Sequence, residues 1–165
     1  MRTDLFALLH TPGLPGRSGV PPVREFNAIT EQIIGAAVNV HRELGPGLLE
    51  SAYEACLAFE LRSRGLRVDR QRSLRVVYRT VELDCGYRLD MVVEDRVVVE
   101  IKALEQLLPV HQAQLLSYLK LSGLSVGLLI NFHTEVLRNG IKRIVNNYSG
   151  PFPSSASSAP SASPR

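Results

Sequence analysis

Residues 87–102 read Tyr-Arg-Leu-Asp-Met-Val-Val-Glu-Asp-Arg-Val-Val-Val-Glu-Ile-Lys, and this stretch decides the fold. Two runs rich in valine flank a charged tripeptide at residues 94–96, which predicts a β-hairpin with a three-residue loop. Because side chains alternate along a strand, this loop length places only apolar residues on one face, whereas a two-residue loop would mix the two faces. The predicted apolar pairs are Leu89 with Ile101, Met91 with Val99, and Val93 with Val97.

The other face of the same hairpin carries charge. In this register Asp90 lies directly across from Glu100, and Lys102 follows two residues later on the same side of the sheet. Opposed carboxylates destabilise an ordinary sheet, so they require a cation between them or an opening to water. A divalent cation binds carboxylate oxygens, and a neighbouring lysine can stabilise charge on a phosphorane, which favours a metal-dependent phosphodiesterase site. A surface hairpin with a Glu/Lys stripe stays open as the simpler interpretation.

Helical and strand patterns surround the hairpin. Apolar residues at helical spacing predict a first helix from Asn27, or from Thr30 as the alternative cap, to about Glu43. A second helix is predicted from about Leu48 until Gly65 ends it, and a third at residues 110–121. The predicted strands are residues 66–69, 74–78, 87–93, 97–103, 126–132 and 141–145.

This order of elements predicts an α/β (α+β) sandwich whose mixed central β-sheet is flanked by helices. Residues 126–130 read Val-Gly-Leu-Leu-Ile, a continuous apolar run that is typical of a central strand buried on both faces.

The composition fits one globular domain without a membrane span. The chain has 165 residues, 45% hydrophobic and 21% charged, and no run of about 20 apolar residues that could cross a bilayer. Residues 1–24 are predicted to be a disordered leader, residues 25–148 the domain, and residues 149–165 a disordered Ser/Ala/Pro-rich tail. Cys56 and Cys85 lack the partners of a disulfide framework or a structural zinc site, so a cytoplasmic location is expected.

Arginine is concentrated between residues 62 and 88, although the net charge of the chain is only +3. The planar guanidinium suits phosphate, so this excess points to contact with nucleic acid. A solvated surface is the alternative explanation. The residues assigned to nucleic-acid binding from this segment are Arg70, Arg72, Arg75 and Arg88.

Two motifs connect the chain to known proteins. Residues 47–53 read Gly-Leu-Leu-Glu-Ser-Ala-Tyr and resemble the signature of the GxxExxY proteins. Asp90, followed by Glu100-Ile101-Lys102, resembles the core of the PD-(D/E)xK nuclease superfamily, although Leu89 stands where the name-giving proline would be. The likeness extends from about residue 29 to residue 147.

The resemblance implies a restriction-endonuclease-like fold and a nuclease that uses Mg²⁺ or Mn²⁺. It makes Asp90 and Glu100 metal ligands and Lys102 the catalytic lysine. Glu50 matches a family position that can add a carboxylate to the metal shell, although an acidic residue is also favoured in the first turn of any helix. Tyr53 is expected to pack in the core.

Gln114 and Tyr118 lie one helical turn apart and resemble the Q-x-x-x-Y element of RecB-like exonucleases. The resemblance implies that they shape the active site, and that Tyr118 contacts the nucleic acid.

The leading functional interpretation is a divalent-metal-dependent nuclease, with DNA favoured over RNA as its substrate, that acts as an exonuclease or in repair or defence. The alternative is a catalytically silent module of the same fold that binds nucleic acid or protein, and a third interpretation is a subunit whose tails engage other proteins. A domain of this size has little room for a DNA-recognition insertion, so sequence-specific cutting by a monomer is not expected and a homodimer is compatible with the sequence.

Overall fold

The computed structural model describes residues 23–83 and 86–146. The predicted leader as far as residue 22 and the predicted tail lie outside these residues. The helices are α1 (Val23–Leu44), α2 (Glu50–Ser63) and α3 (Pro109–Ser122). The strands are β1 (Val68–Ser73), β2 (Val76–Tyr78), β3 (Val81–Leu83), β4 (Arg88–Val93), β5 (Val97–Lys102), β6 (Val126–Asn131) and β7 (Ile141–Val145), and a short 3-10 helix (Leu137–Gly140) precedes β7.

Five strands form one sheet in the order β1-β4-β5-β6-β7, and β2 and β3 form a separate two-stranded sheet. Strands β5 and β6 are parallel, whereas the other neighbours in the larger sheet are antiparallel. Helix α3 connects the two parallel strands, because a parallel pair needs a crossover between its strands. The predicted mixed sheet with flanking helices is confirmed.

The hairpin of β4 and β5 has the predicted register. Backbone pairing joins residues 91–93 to residues 97–99 with the predicted partners. Glu94 and Asp95 of the loop both have φ of 54°, the left-handed conformation that short hairpin loops require.

The position predicted for Leu89 is wrong. Leu89 is buried with Leu115 and Leu119 of α3, whereas its predicted partner Ile101 is buried in the core under α1 and α2. Regular pairing of β4 with β5 stops at Met91, because the next residue, Asp90, binds the backbone of β5 through its side chain. The side chains of β4 therefore stop alternating regularly between the two faces of the sheet at Asp90.

Helices cover both faces of the larger sheet. On one face, α1 and α2 bury side chains such as Ile33 and Leu57 against Val99 of β5, with Cys56 partly buried at the edge of this core. On the other face, α3 buries Leu115 and its neighbours against residues including Val98. Every residue of β6 is buried, as predicted for a central strand. Each fully buried aliphatic side chain contributes about 1.5–3 kcal/mol.

The predicted start of the first helix is wrong. Helix α1 begins at Val23, and Asn27 and Thr30 both lie inside it. The Thr30 hydroxyl donates a hydrogen bond to the carbonyl oxygen of Asn27 over 3.0 Å. Serine, threonine and asparagine make such local bonds both at helix caps and inside helices. A prediction of the cap from residue type alone therefore starts the helix too late in the sequence.

The strands before the hairpin also differ from the prediction. Strand β1 lies at Val68–Ser73, later than the predicted residues 66–69, and β3 was not predicted. Strand β1 reads Val-Asp-Arg-Gln-Arg-Ser, which has no apolar alternation, and it is extended because it pairs with β4. Tertiary pairing overrides local pattern here.

Candidate active site

Asp90 lies where β4 leaves regular pairing with β5. Its Oδ2 accepts a hydrogen bond of 2.9 Å from the backbone amide of Ile101. Burial raises the pKa of Asp90 above its ordinary value, although the Ile101 amide and the charge of Lys102 oppose this rise. The carboxylate is thereby fixed to the residue between Glu100 and Lys102.

Glu100 is buried at the centre of the cluster, with 3% of its surface exposed. Its Oε1 accepts a hydrogen bond of 2.9 Å from Lys102 Nζ, whereas its Oε2 is buried without a hydrogen-bond partner. Burial, and after it the charge of Asp90, raises the pKa of Glu100 to about 7, although Lys102 opposes the rise. A buried oxygen with no donor is costly, so this atom is suited to receive an external positive group.

Lys102 is the cation of the cluster. Burial alone would lower its pKa, but the attraction of Glu100 and the hydrogen bond to it outweigh burial, so the pKa lies above its ordinary value. Lys102 therefore keeps its positive charge at neutral pH.

Glu50 reaches the same end of the sheet from the first turn of α2. Its Oε1 accepts a hydrogen bond of 3.1 Å from the amide of Ala103, the residue after Lys102. Its negative charge contributes to the raised pKa values of Asp90, Glu100 and Lys102. The structure thus brings Glu50 to the cluster, with its carboxylate engaged to the backbone.

Tyr53 holds the start of α2 in place. It is fully buried, and its ring stacks on Phe132 with 4.4 Å between the ring centroids. Its hydroxyl donates to the Gly45 carbonyl over 2.6 Å and accepts from the Leu48 amide over 3.1 Å. The expected core role of Tyr53 is confirmed, and these bonds explain why a tyrosine follows Glu50 by one turn.

Gln114 and Tyr118 face the cluster from α3. Gln114 Nε2 donates a hydrogen bond of 2.7 Å to the Tyr118 hydroxyl. Burial raises the pKa of Tyr118, and the hydrogen bond from Gln114 opposes this rise. The negative charges of Glu100 and Asp90 also raise the pKa, whereas the positive charge of Lys102 lowers it. The predicted pair therefore lies beside the carboxylates.

His111, one turn earlier, accepts a hydrogen bond from the Leu108 amide and caps the helix.

Sequence reasoning missed a partly buried ion pair next to the site. Glu54, 6% exposed, accepts hydrogen bonds of 2.8 Å from both Arg70 and Gln71 of β1. Adjacent strand residues normally point to opposite faces, and both can reach Glu54 here because Gln71 has φ of 51°. The charge of Glu54 also contributes to the raised pKa of Asp90. The only signal in the sequence was the one-turn spacing from Glu50.

Asn131 was also missed. It is 2% exposed and exchanges two hydrogen bonds with the backbone of Leu104, one of 3.0 Å to its amide and one of 2.7 Å to its carbonyl oxygen. Together with Glu50, it fixes the chain that follows Lys102. A buried asparagine at the end of an apolar strand was the available signal.

The arginines assigned to nucleic-acid binding differ in their partners. Arg88 is exposed and has no ion-pair partner among the residues that the structure describes. The other three pair within the chain: Arg70 with Glu54, Arg72 with Asp69 and Asp95, and Arg75 with Glu82. Much of the positive charge of this segment is balanced locally.

The donor set fits a hard divalent cation with few protein ligands. Within residues 23–83 and 86–146, no group of three or more His, Cys, Asp and Glu side chains is placed to hold a metal ion. Asp90 and Glu100 still supply carboxylate oxygens, and Glu100 Oε2 lacks any partner. Because Mg²⁺ keeps several waters and often takes only one or two carboxylates, this pair meets its requirement.

A sequence model of the PD-(D/E)XK nuclease superfamily matches residues 27–144. The fold and the match define the class: the chain belongs to the PD-(D/E)XK nuclease superfamily, with the α/β restriction-endonuclease-like fold. Members of this superfamily generally hydrolyse phosphodiester bonds and typically use divalent metals such as Mg²⁺, so membership suggests a metal-dependent nuclease and implies a nucleic-acid substrate.

A search of the curated proteins and a search of the solved structures each gave no significant match. In the part of the chain that the structure describes, no helix is long and apolar enough to span a membrane.

Proposed function

We propose that this protein is a Mg²⁺- or Mn²⁺-dependent nuclease that hydrolyses DNA, in repair or defence, and that it is one of the GxxExxY proteins. The observation that carries the proposal is the buried, unpartnered Oε2 of Glu100 beside Asp90 and the charged Lys102. Buried carboxylate oxygens normally have a hydrogen-bond donor, so an oxygen without one is the feature that a bound cation would satisfy.

Asp90 and Glu100 are the residues that would hold the cation. When bound, such an ion supplies Lewis-acid polarisation of a phosphoryl oxygen and lowers the pKa of bound water. The elevated pKa values of both carboxyls reflect chiefly the cost of burying a charged carboxylate, which Lys102 offsets only in part. A divalent ion held by Asp90 and Glu100 would offset that cost and favour the ionised form of both carboxyls.

Lys102 supplies the fixed positive charge. It is held by Glu100 Oε1 and stays protonated, so it can donate a hydrogen bond to the phosphoryl oxygen on which charge develops. Glu50 keeps the chain after Lys102 in position by accepting a hydrogen bond from the Ala103 amide, and it is the residue that could add a further carboxylate to a bound cation. Gln114 holds the Tyr118 hydroxyl in place through its hydrogen bond of 2.7 Å.

The silent binding module is the weaker alternative. It depends on the arginine-rich segment, in which Arg70 is paired with the buried Glu54 and Arg72 with Asp69 and Asp95, so that of the four assigned arginines Arg75 and Arg88 are left to contact a ligand. The intact Asp90, Glu100 and Lys102 arrangement has no role in such a module.

Cleavage of labelled single-stranded and double-stranded DNA in Mg²⁺, in Mn²⁺ and in EDTA tests the proposal. We expect metal-dependent cutting by the native chain and its loss in Lys102→Ala. The matched control is Lys120→Ala, which removes an exposed lysine from α3 and should cut like the native protein. Cutting that persists in folded Lys102→Ala, or that resists EDTA, would contradict the proposal.

A further inference from the structure

A cleft of about 560 Å³ lies between the β2–β3 sheet and the start of β4. Its lining includes Arg75, Leu83, Tyr87 and Arg88. Arg88 precedes Asp90 by two residues on β4, so the lining of the cleft and the candidate active site share this strand. Nothing in the proposed chemistry uses it.

Tyr87 presents an aromatic surface in this cleft. It is 48% exposed, and its ring contacts Tyr118 with 6.2 Å between centroids and 58° between the ring planes. Tyr118 in turn lies within electrostatic reach of Glu100 and Lys102. Tyr118 is itself only 7% exposed, so Tyr87 is the ring of this pair that a ligand in the cleft can contact.

The cleft also carries positive charge that a ligand can use. Arg88 is exposed and has no ion-pair partner among the described residues. Arg75 is 80% exposed and pairs with Glu82 over 3.4 Å, an exposed contact of little energetic value that a phosphate can replace. Leu83 on the neighbouring β3 is exposed and adds apolar surface.

An exposed aromatic ring flanked by arginines fits a single nucleic-acid strand better than a duplex. Bases stack on aromatic side chains while the cations follow the backbone. In a duplex each base is covered by its neighbours, so its face is not available to Tyr87. We infer that this cleft binds a single-stranded DNA end, with Tyr87 stacked on an unpaired base and Arg75 and Arg88 on the phosphates.

This inference rests on the proposed nuclease and names the form of its substrate. The unpaired end enters past Tyr87, and its next phosphodiester reaches the cluster of Asp90, Glu100 and Lys102. The protein then favours single strands and unpaired ends over blunt duplex.

The chain contains no tryptophan, which permits a direct optical test. Tyr87→Trp introduces one indole at the stacking position of the full chain. In EDTA, where no metal-dependent cutting occurs, oligothymidylate should quench its fluorescence in a saturable manner, and a duplex of equal length should not. The matched control is Phe59→Trp, because Phe59 is 72% exposed on α2, outside the cleft. Absence of quenching, or equal quenching in both variants or by both forms of DNA, overturns the inference.

Binding measured by fluorescence anisotropy gives a second readout. Tyr87→Ala should weaken oligothymidylate binding by about fivefold or more, whereas Tyr87→Phe keeps the ring and should bind normally. Arg88→Ala should reduce the slope of log affinity against log salt by about one. Unchanged binding in Tyr87→Ala contradicts the inference, and if that variant does not fold, the fluorescence of Tyr87→Trp still decides.

Cleavage assays separate this inference from the proposed function. Specific quenching without cutting of any DNA would support the single-strand cleft and contradict the proposed nuclease. Metal-dependent cutting without quenching would support the proposed nuclease and contradict the single-strand cleft.

Discussion

Asp90 Oδ2 lies 2.9 Å from the backbone amide of Ile101, the residue between Glu100 and Lys102. This bond connects the Asp90 carboxylate of β4 to the backbone of the Glu-x-Lys segment of β5. It does not involve the side chains of Glu100 or Lys102. A shift of either strand would break it. The spacing between the two carboxylates and the lysine is therefore set by the backbone, before any metal binds.

Stability without metal should fall as Glu100 ionises. Its pKa is raised in the folded state, from 4.5 to about 7, so the folded protein binds a proton more tightly than the unfolded chain does. The resulting stabilisation is fully present below pH 4.5 and is lost as pH rises through about 7. Over this window the free energy of unfolding should drop by about 3 kcal/mol relative to Glu100→Gln, which cannot titrate at this position. Urea unfolding of both proteins in EDTA across this pH range measures the difference, and a pH-independent difference would contradict the raised pKa.

Metal binding should favour the ionised form of Glu100, which is disfavoured in the metal-free protein. Below pH 7 a proton competes with the cation for Glu100, so the affinity for Mn²⁺ should rise by up to tenfold per pH unit and then level off above pH 7. Isothermal titration calorimetry should also detect proton release when binding is measured below pH 7. An affinity that stays constant between pH 5 and pH 7 would show that Glu100 is not a ligand.

Asp90→Asn should separate metal binding from folding. Burial and the negative charges of Glu54 and Glu50 disfavour the Asp90 carboxylate, so the neutral amide should unfold at an equal or higher temperature in EDTA at pH 8. The rise in melting temperature that Mg²⁺ or Mn²⁺ gives the native chain should disappear, and so should cleavage. Glu105→Gln, which neutralises an exposed carboxylate, is the control and should keep both. A full metal-induced rise in folded Asp90→Asn would remove Asp90 from the ligand set.

Much of the fold could be predicted because the hairpin is strongly patterned. Two apolar runs on either side of a charged three-residue loop predict the register of residues 91–93 against residues 97–99, and the apolar run of β6 identifies a fully buried strand. Strand β1 could not be predicted with correct bounds, because its polar residues are extended only through pairing with β4. Local patterns do not contain that information.

The candidate site was predictable to the extent that its residues lie close in sequence or resemble a known motif. Asp90, Glu100 and Lys102 follow from one hairpin, and the resemblance added Glu50 and Tyr118. Glu54 and Asn131 were not found, since their roles depend on which distant backbone and side-chain groups they meet. The same limit explains Leu89, which leaves the alternation only because Asp90 binds the neighbouring strand.

Tyr53→Phe tests whether the tyrosine of the GxxExxY signature positions Glu50. The variant keeps the ring stacked on Phe132 but removes the hydroxyl that binds Gly45 and Leu48. Leaving these two backbone groups without their partner should cost about 1–3 kcal/mol of unfolding free energy. Cleavage should fall further than the loss of folded protein explains, because the loop that leads to Glu50 becomes less ordered. Chemical unfolding and cleavage at a temperature where the variant is fully folded separate the two effects.

Gly140→Ala tests the support that Asn131 gives to the chain after Lys102. A Cβ at Gly140 would lie 2.4 Å from the backbone oxygen of Asn131, so the end of β6 must move. Overpacking of this kind costs about 1–3 kcal/mol, and cleavage should fall with it because Asn131 holds Leu104. Gly127→Ala is the matched control for overpacking, since its Cβ would meet the buried Leu115 side chain, with the nearest atom at 2.9 Å, and not the backbone of Asn131. Thermal unfolding and cleavage of both variants measure the difference. If Gly140→Ala folds and cuts like Gly127→Ala, then the segment beyond Lys102 does not depend on Asn131 for its position.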